Sequence, residues 1–396
     1  MAVEARTSWT TRSSGRWWND PRLRALAYQA LAVALVVLLF GYLIANTVEN
    51  LRRQNIASGF GFLELEAGFA ISESAIAFSP ADSYGRAFLV GLLNTFKVAI
   101  LGVVFASVLG VLIGVARLSS NWLVARLATS YVEVLRNLPL LLQLFVWYGL
   151  ITVSLPLPRE ALSPFVGVYL SNRGFQIPAL NTHGVYSAMG IALIVAVVAA
   201  IALGRWAKAR QARTGRQFPS LSVGFGLIVG LPLLVWLLGG APVDLDMPQK
   251  SRFNITGGLT LSPEFAALLL GLSTYTSAFI AEIVRSGILA VSWGQSEAAL
   301  SLGLSRTQTL RLVVLPQALR IIVPPTTSQY LNLVKNSSLA VAIGYPDLVS
   351  IGNTALNQTG QAVEAVAIFM AVYLIISLAI SAFMNWYNRR IALVER

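Results

Sequence analysis

Two acid–base pairs stand inside long apolar stretches of this 396-residue chain: Glu133 with Arg136, and Glu282 with Arg285, each three residues apart. On a helix that spacing puts both charges on one face, where they neutralise one another. Ionisable groups in an apolar stretch are costly, so each pair is a candidate for a structural ion pair or for part of an inner gate. A third group is polar and unpaired: Thr326, Gln329, Asn332, Lys335 and Asn336 follow steps of three and one, with four separating Asn332 from Asn336, and such a stripe must face protein or water. Lys335 is the natural counter-charge for a solute carboxylate, with the neighbouring amides completing its hydrogen bonds; gluing helix to helix is the alternative. Gln143, Ser273, Thr276 and Ser277 are weaker candidates for the same path.

Other chemistries lack their residues. The chain has no cysteine, and His183 is its one histidine, which argues against thiolate metal sites, zinc chemistry and a Ser-His-Asp triad. A phosphate-binding loop needs lysine directly after glycine, because glycine amides wrap the phosphates while the lysine reaches the terminal ones. Lys97, Lys208, Lys250 and Lys335 all follow other residues. No metal or cofactor is expected in this chain, and any nucleotide must be bound elsewhere.

The elements that position these groups follow from hydropathy. Hydrophobic residues make up 56% of the chain and charged residues 12%, against about 25% charged in soluble domains. Apolar runs near Ala25 to Ala45, Phe88 to Ala116, Tyr131 to Leu155, Val185 to Leu203, Val223 to Gly239, Phe265 to Val284, Pro316 to Gly344 and Val363 to Trp386 predict about eight transmembrane helices. The expected fold is all-α, a polytopic membrane bundle; barrel strands would alternate over about ten residues. Arg6, Arg12, Arg16, Arg22 and Arg24 precede the first run, which reads as an uncleaved anchor. With both termini cytoplasmic, the inner loops and ends hold most of the 29 Lys and Arg, as the positive-inside rule requires. The net charge of +12 does not imply nucleic acid, because the charges alternate with spans. The basic turn "GRWAKARQARTGRQ" reads as a topological anchor on anionic lipid. The outer loop from Asn46 to Arg86 is expected to pack over the spans, with docking of an external partner as the alternative. Gly102, Ala106, Gly110 and Gly114 put a small residue at every fourth position of one helix face, which permits close approach of a second helix.

Residues 292–316 form a different device. Ser292 with Gln295 and Ser305 with Gln308 have capping-box spacing, Gly303 suits a left-handed helix end, and Pro316 interrupts the second piece. The prediction is helix, sharp turn, helix, each piece too short to be stable alone in water.

The run "EAALSLGLSRTQTLRLVVLP" resembles the EAA signature of ABC importer permeases, with Glu297, Ala298, Ala299, Gly303, Leu315 and Pro316 on the pattern and Val313 where Ile is usual. "SYVEVLRNLPLLLQLFVWYGL" and "LVKNSSLAVAIGYPDLV" are similar to polar amino-acid permeases of the histidine/glutamine type. The enlarged chain resembles the general L-amino-acid and glutamate/glutamine/aspartate permease subunits. The resemblance implies a type I importer permease in a bacterial inner membrane. It implies a cytoplasmic ABC ATPase dimer holding ATP and magnesium, a second homologous permease or a second copy, and a periplasmic amino-acid-binding protein. It divides the chain into residues 1–84 (basic arm, extra span and periplasmic loop), a permease domain over 85–390 with a two-span insertion at about 150–262 and a coupling loop at 286–316, and a tail over 391–396. An ion-coupled secondary amino-acid transporter and a non-transporting scaffold are the competing readings.

Overall fold

The computed structural model describes residues 21–53, 58–251 and 254–391. Arg6, Arg12 and Arg16 of the basic arm, and residues 392–396 of the tail, lie outside the described residues. Six helices are long and apolar enough to cross a membrane, and two bent pairs bring the number to as many as eight.

Helix α1 (Pro21–Arg53) leads the chain, and none of its central apolar stretch is buried. Helix α2 (Tyr84–Ala116) starts at Ser83, whose hydroxyl accepts the Arg86 amide. Helix α3 (Trp122–Asn137) is capped by Asn121. The expected single span from Tyr131 to Leu155 is instead broken. Helix α4 (Leu140–Gly149) sets off at 108° to α3, because Leu138, squeezed by the ring of Pro139, takes an extended conformation with φ −96° and ψ 133°.

Helices α5 (Gly184–Thr214) and α6 (Ser220–Leu238) form a hairpin and pack mainly on each other. The loops flanking it are not irregular, and here the structure departs from a purely helical fold. Residues 162–165, 168–171, 174–177 and 259–261 build a small antiparallel sheet, the last strand lying beside the third. Gly167 turns the chain between the first two strands with φ of 75°, and Gly174 opens the third with φ of 105°; short aromatic and β-branched segments beside such glycines pair as strands.

Helix α7 (Pro263–Leu289) is the axis of the core. Ser262 caps it and Pro263 occupies its first turn, where a missing N–H costs nothing. It packs against α2, α3 and α4, and Leu144, Leu268, Leu272 and Ile280 are fully buried. Lipid gives no hydrophobic drive to helix association, so close approach must supply the attraction. The small-residue stripe of α2 does so. A Cβ on Gly110 would lie 2.6 Å from Ile280, and one on Gly114 would lie 2.7 Å from the Ala281 carbonyl.

Beyond α7 come two short helices, α8 (Trp293–Ser301) and α9 (Arg306–Thr309), and then α10 (Leu315–Asn336). Pro316 does not interrupt the second piece as expected. A π-helical turn over Leu310–Val314 absorbs the displaced hydrogen bonds, and Pro316 falls in the first turn of α10. Pro324 and Pro325 are likewise carried within the helix. A 3₁₀ segment, Ser337–Ile343, ends at Gly344, after which α11 (Leu348–Thr359) and α12 (Ala362–Ile391) complete the chain. The loop before α2 packs over the bundle: Phe62 and Ala67 join Tyr84, Phe88, Leu348 and Ile351 in a second core cluster.

Candidate coupling and translocation sites

The foldback between α7 and α10 is built as its residues dictate. Helix α8 ends at Gly303, whose φ of +84° is the left-handed conformation that glycine adopts freely. The Gly303 amide donates to the Leu300 carbonyl at 2.9 Å and the Leu304 amide to Ala299 at 3.2 Å. Ser305 and Gln308 then form the full capping box of α9. Ser292 sits at the N-cap of α8 without a side-chain bond, its backbone carbonyl taking the Gln295 amide instead. Ala299 is buried, whereas Glu297, Ala298, Gly303, Leu315 and Pro316 are exposed. Glu297 accepts from the Trp293 indole at 2.9 Å. Trp293, Leu300 and Leu302 are exposed by 74%, 44% and 85%, so the foldback presents large apolar side chains around one carboxylate.

Of the two acid–base pairs, one forms. The Arg285 guanidinium donates to Glu282 at 2.7 Å, and Arg117 at the end of α2 reaches the other carboxylate oxygen. Glu282 therefore clasps α2 to α7. Glu133 and Arg136 are both exposed and do not meet; the Arg136 guanidinium lies 5.2 Å above the Phe279 ring.

The path candidates divide. Gln143 is buried and donates to the Leu135 and Leu138 carbonyls at 2.9 and 3.0 Å, capping the broken end of α3. Ser277 bonds the Tyr131 hydroxyl at 2.8 Å; Ser273 and Thr276 are buried within the core. The stripe on α10 winds outward: Thr326 is buried, Gln329 and Asn336 are half-buried, and Asn332 and Lys335 are exposed. Steps of three lag the helical repeat by about 60° each, which turns the row away from the core.

Lys335 lines a cavity of about 530 Å³ with Ser338, Phe369, Tyr373 and Ser377. Two polar groups, one lining this cavity and one buried against it, escaped the sequence reading. Asp347 is fully buried and caps α11 by accepting the Ser350 amide at 2.8 Å; the Tyr373 hydroxyl lies against it, beside Ser337 and Thr95. The signal for Asp347 was available, an Asp between a proline and a helical stretch. Glu73, in the loop before α2, had no such signal. It takes the Lys97 ammonium and the Ser262 hydroxyl, each at 2.5 Å, tying the loop to α2 and α7.

A polytopic bundle whose two core helices are bridged by a short, exposed, apolar foldback is that of a membrane transport permease. Residues 212–393 match the binding-protein-dependent transport system inner membrane component family. With its relatives, this shows that the chain belongs to that family of multi-pass inner-membrane permease subunits, which carry no ATPase domain. It is 52% identical over 390 residues to the general L-amino acid transport system permease protein AapQ of Rhizobium johnstonii, covering 98% of this chain and 97% of the relative. To the glutamate/glutamine/aspartate/asparagine transport system permease protein BztB of Rhodobacter capsulatus it is 41% identical over 414 residues, 95% of this chain and 96% of that one. The glutamate/aspartate import permease protein GltJ of Escherichia coli matches at 25% over 303 residues, 76% of this chain and 86% of that one.

Proposed function

We propose that this chain is the permease subunit of an ATP-driven importer of polar or general L-amino acids, coupled through residues 286–316 to a cytoplasmic ABC ATPase dimer that binds ATP and magnesium. The observation that carries the coupling role is the foldback itself. Helix α8 has nine residues, too few to be stable alone, and it offers Trp293, Leu300 and Leu302 to a partner. Glu297, Ala298, Ala299, Gly303, Leu315 and Pro316 shape that contact. Both termini lie in the cytoplasm, residues 85–390 form the permease domain with its insertion at about 150–262, and residues 1–84 and 391–396 flank it. A second homologous permease, or a second copy of this chain, completes the pathway, and a periplasmic binding protein delivers the amino acid.

In this reading the cavity beside Lys335 receives the zwitterion. The Lys335 ammonium holds the α-carboxylate, and Asp347 with Tyr373 attracts the α-ammonium, because a neighbouring cation offsets the cost of burying a carboxylate charge. The remaining residues of the row, Gln329, Asn332 and Asn336, with Ser273, Thr276 and Ser277, line the route between openings. Closure of the ATPases moves the foldback and rocks α10 with it.

The reading is tested in proteoliposomes holding the purified complex. ATP hydrolysis that rises with amino acid and binding protein, with uptake only when ATP is present, is expected. Strong uptake driven by an ion gradient without ATP would establish an ion-coupled transporter instead.

A further inference from the structure

The tip of the α5–α6 hairpin has no part in the coupling or translocation just described. Arg205, Lys208, Arg210, Arg213 and Arg216 fall within residues 205–216, and residues 161–243 contain no Asp or Glu. All five side chains are exposed. The ion pairs formed among the described residues include none of them.

Their position on the helix is equally informative. Helix α5 has 31 residues, about 46 Å at the helical rise, whereas a hydrocarbon core about 30 Å thick needs roughly 20. Residues 184–203 carry no charge, and the cations begin at Arg205. The last three turns therefore emerge where lipid phosphates lie. Trp206 marks that level, as interfacial aromatics do; its ring meets Phe218 edge-on at 5.5 Å and takes the Arg210 guanidinium at 5.3 Å. Ala207 stays buried, so the helix keeps a packing face, and Arg205, Lys208, Arg210 and Arg213 spread over the remaining arc of roughly 200°. A docked protein contacts one face of a helix. A plane of phosphates surrounds a helix that passes through it, and suits cations spread around the circumference.

We propose that the tip of the α5–α6 hairpin is an anionic-lipid binding surface, on which Arg205, Lys208, Arg210, Arg213 and Arg216 hold the phosphate headgroups of acidic phospholipids. The test uses the full chain in its complex, reconstituted in vesicles of equal phosphatidylglycerol and phosphatidylcholine, then extracted gently, with co-purifying lipid measured by mass spectrometry. The wild-type complex is expected to retain phosphatidylglycerol about fivefold over phosphatidylcholine, less at high salt. Changing all five residues to Gln is expected to bring that ratio within about twofold of unity. Arg213→Gln with Arg216→Gln, which leaves three cations to hold the topology, is expected to give an intermediate ratio. Changing the four arginines to Lys conserves charge and is expected to leave the ratio unchanged. Because the chain has no cysteine, Gln211→Cys labelled with an impermeant maleimide checks that the tip stays on its side of the membrane. Unchanged phosphatidylglycerol retention in the five-Gln variant overturns the proposal. So does loss of the ATPase from that variant with its lipid intact, which would make the tip a protein-docking surface.

Discussion

Glu282→Gln is the perturbation whose size the structure fixes best. Glu282 is the one carboxylate within reach of both Arg117 and Arg285 among the described ion pairs, and the Arg117 side chain is only 8% exposed. The substitution keeps the volume and removes the charge, so Arg117 is left buried without an anion; its Nε already has no partner. Breaking a buried pair in this way costs about 3–5 kcal/mol. Glu282 and Arg285 are 25% and 32% exposed, and water at that edge reduces the expected loss to about 2–3 kcal/mol, a factor of roughly 30 to 150 in the folding constant. Reversible unfolding in mixed micelles with increasing denaturing detergent measures it. Adding Arg117→Met removes the stranded charge, so the double variant is expected to regain at least half of the loss, a coupling of about 1–1.5 kcal/mol. A Glu282→Gln protein within about 0.5 kcal/mol of the parent, or a double variant less stable than the single one, refutes the clasp. Uptake by the double variant then separates the two roles open for this pair: transport near the parental rate makes it structural, and transport abolished in a stable protein makes it a gate.

Other substitutions probe the remaining sites. Gly303→Val meets no neighbour within 4 Å, so its cost is backbone strain of about 1–2 kcal/mol; uptake and substrate-stimulated ATP hydrolysis are expected to fall together while membrane insertion stays normal. Lys335→Met is expected to reduce amino-acid uptake at least about tenfold with the complex intact, and full transport would remove Lys335 as the carboxylate partner. Asn caps a helix as well as Asp does, so Asp347→Asn is expected to leave the melting temperature nearly unchanged while weakening uptake; an equal fall in both would assign Asp347 to the fold alone. Gly110→Val drives a side chain into Ile280 and is expected to cost about 1–3 kcal/mol in the micelle assay by prising α2 from α7.

Hydropathy made most of the spans legible, because length and continuous apolarity are what lipid demands of a helix. It did not reveal the break at Pro139, since Leu138 and Leu140 on either side are as apolar as the spans they interrupt. The turn of the foldback was legible through Gly303 and the Ser305–Gln308 box, because its geometry is set by neighbours within three positions, whereas the box expected at Ser292 and Gln295 does not form. Pro316 misled for the opposite reason. A proline reads as a stop, yet one π turn upstream lets the helix run on. The fourth strand beside the α5–α6 hairpin was missed because its pairing joins residues 174–177 to 259–261 across two spans. Separations of 24 and 165 residues hid the Glu73–Lys97 contact and the Arg117–Glu282 clasp, while the three-residue spacing of Glu133 and Arg136 suggested a pair, although Arg136 lies over Phe279 instead. On α10 the pattern identified the polar row but not its drift, and the drift brings Lys335, rather than Thr326, to the cavity.

The π turn at Leu310–Val314 has a mechanical corollary. It joins α9 to α10 and the 3₁₀ segment so that Arg306–Ile343 runs as one rod, about 55 Å from tip to tip. Swivelling such a shaft by about 5° displaces its far end by about 5 Å, roughly one helical pitch. That tip adjoins Tyr345 and Asp347, so in the proposed cycle a small stroke at the foldback would be geared up where α11 is anchored.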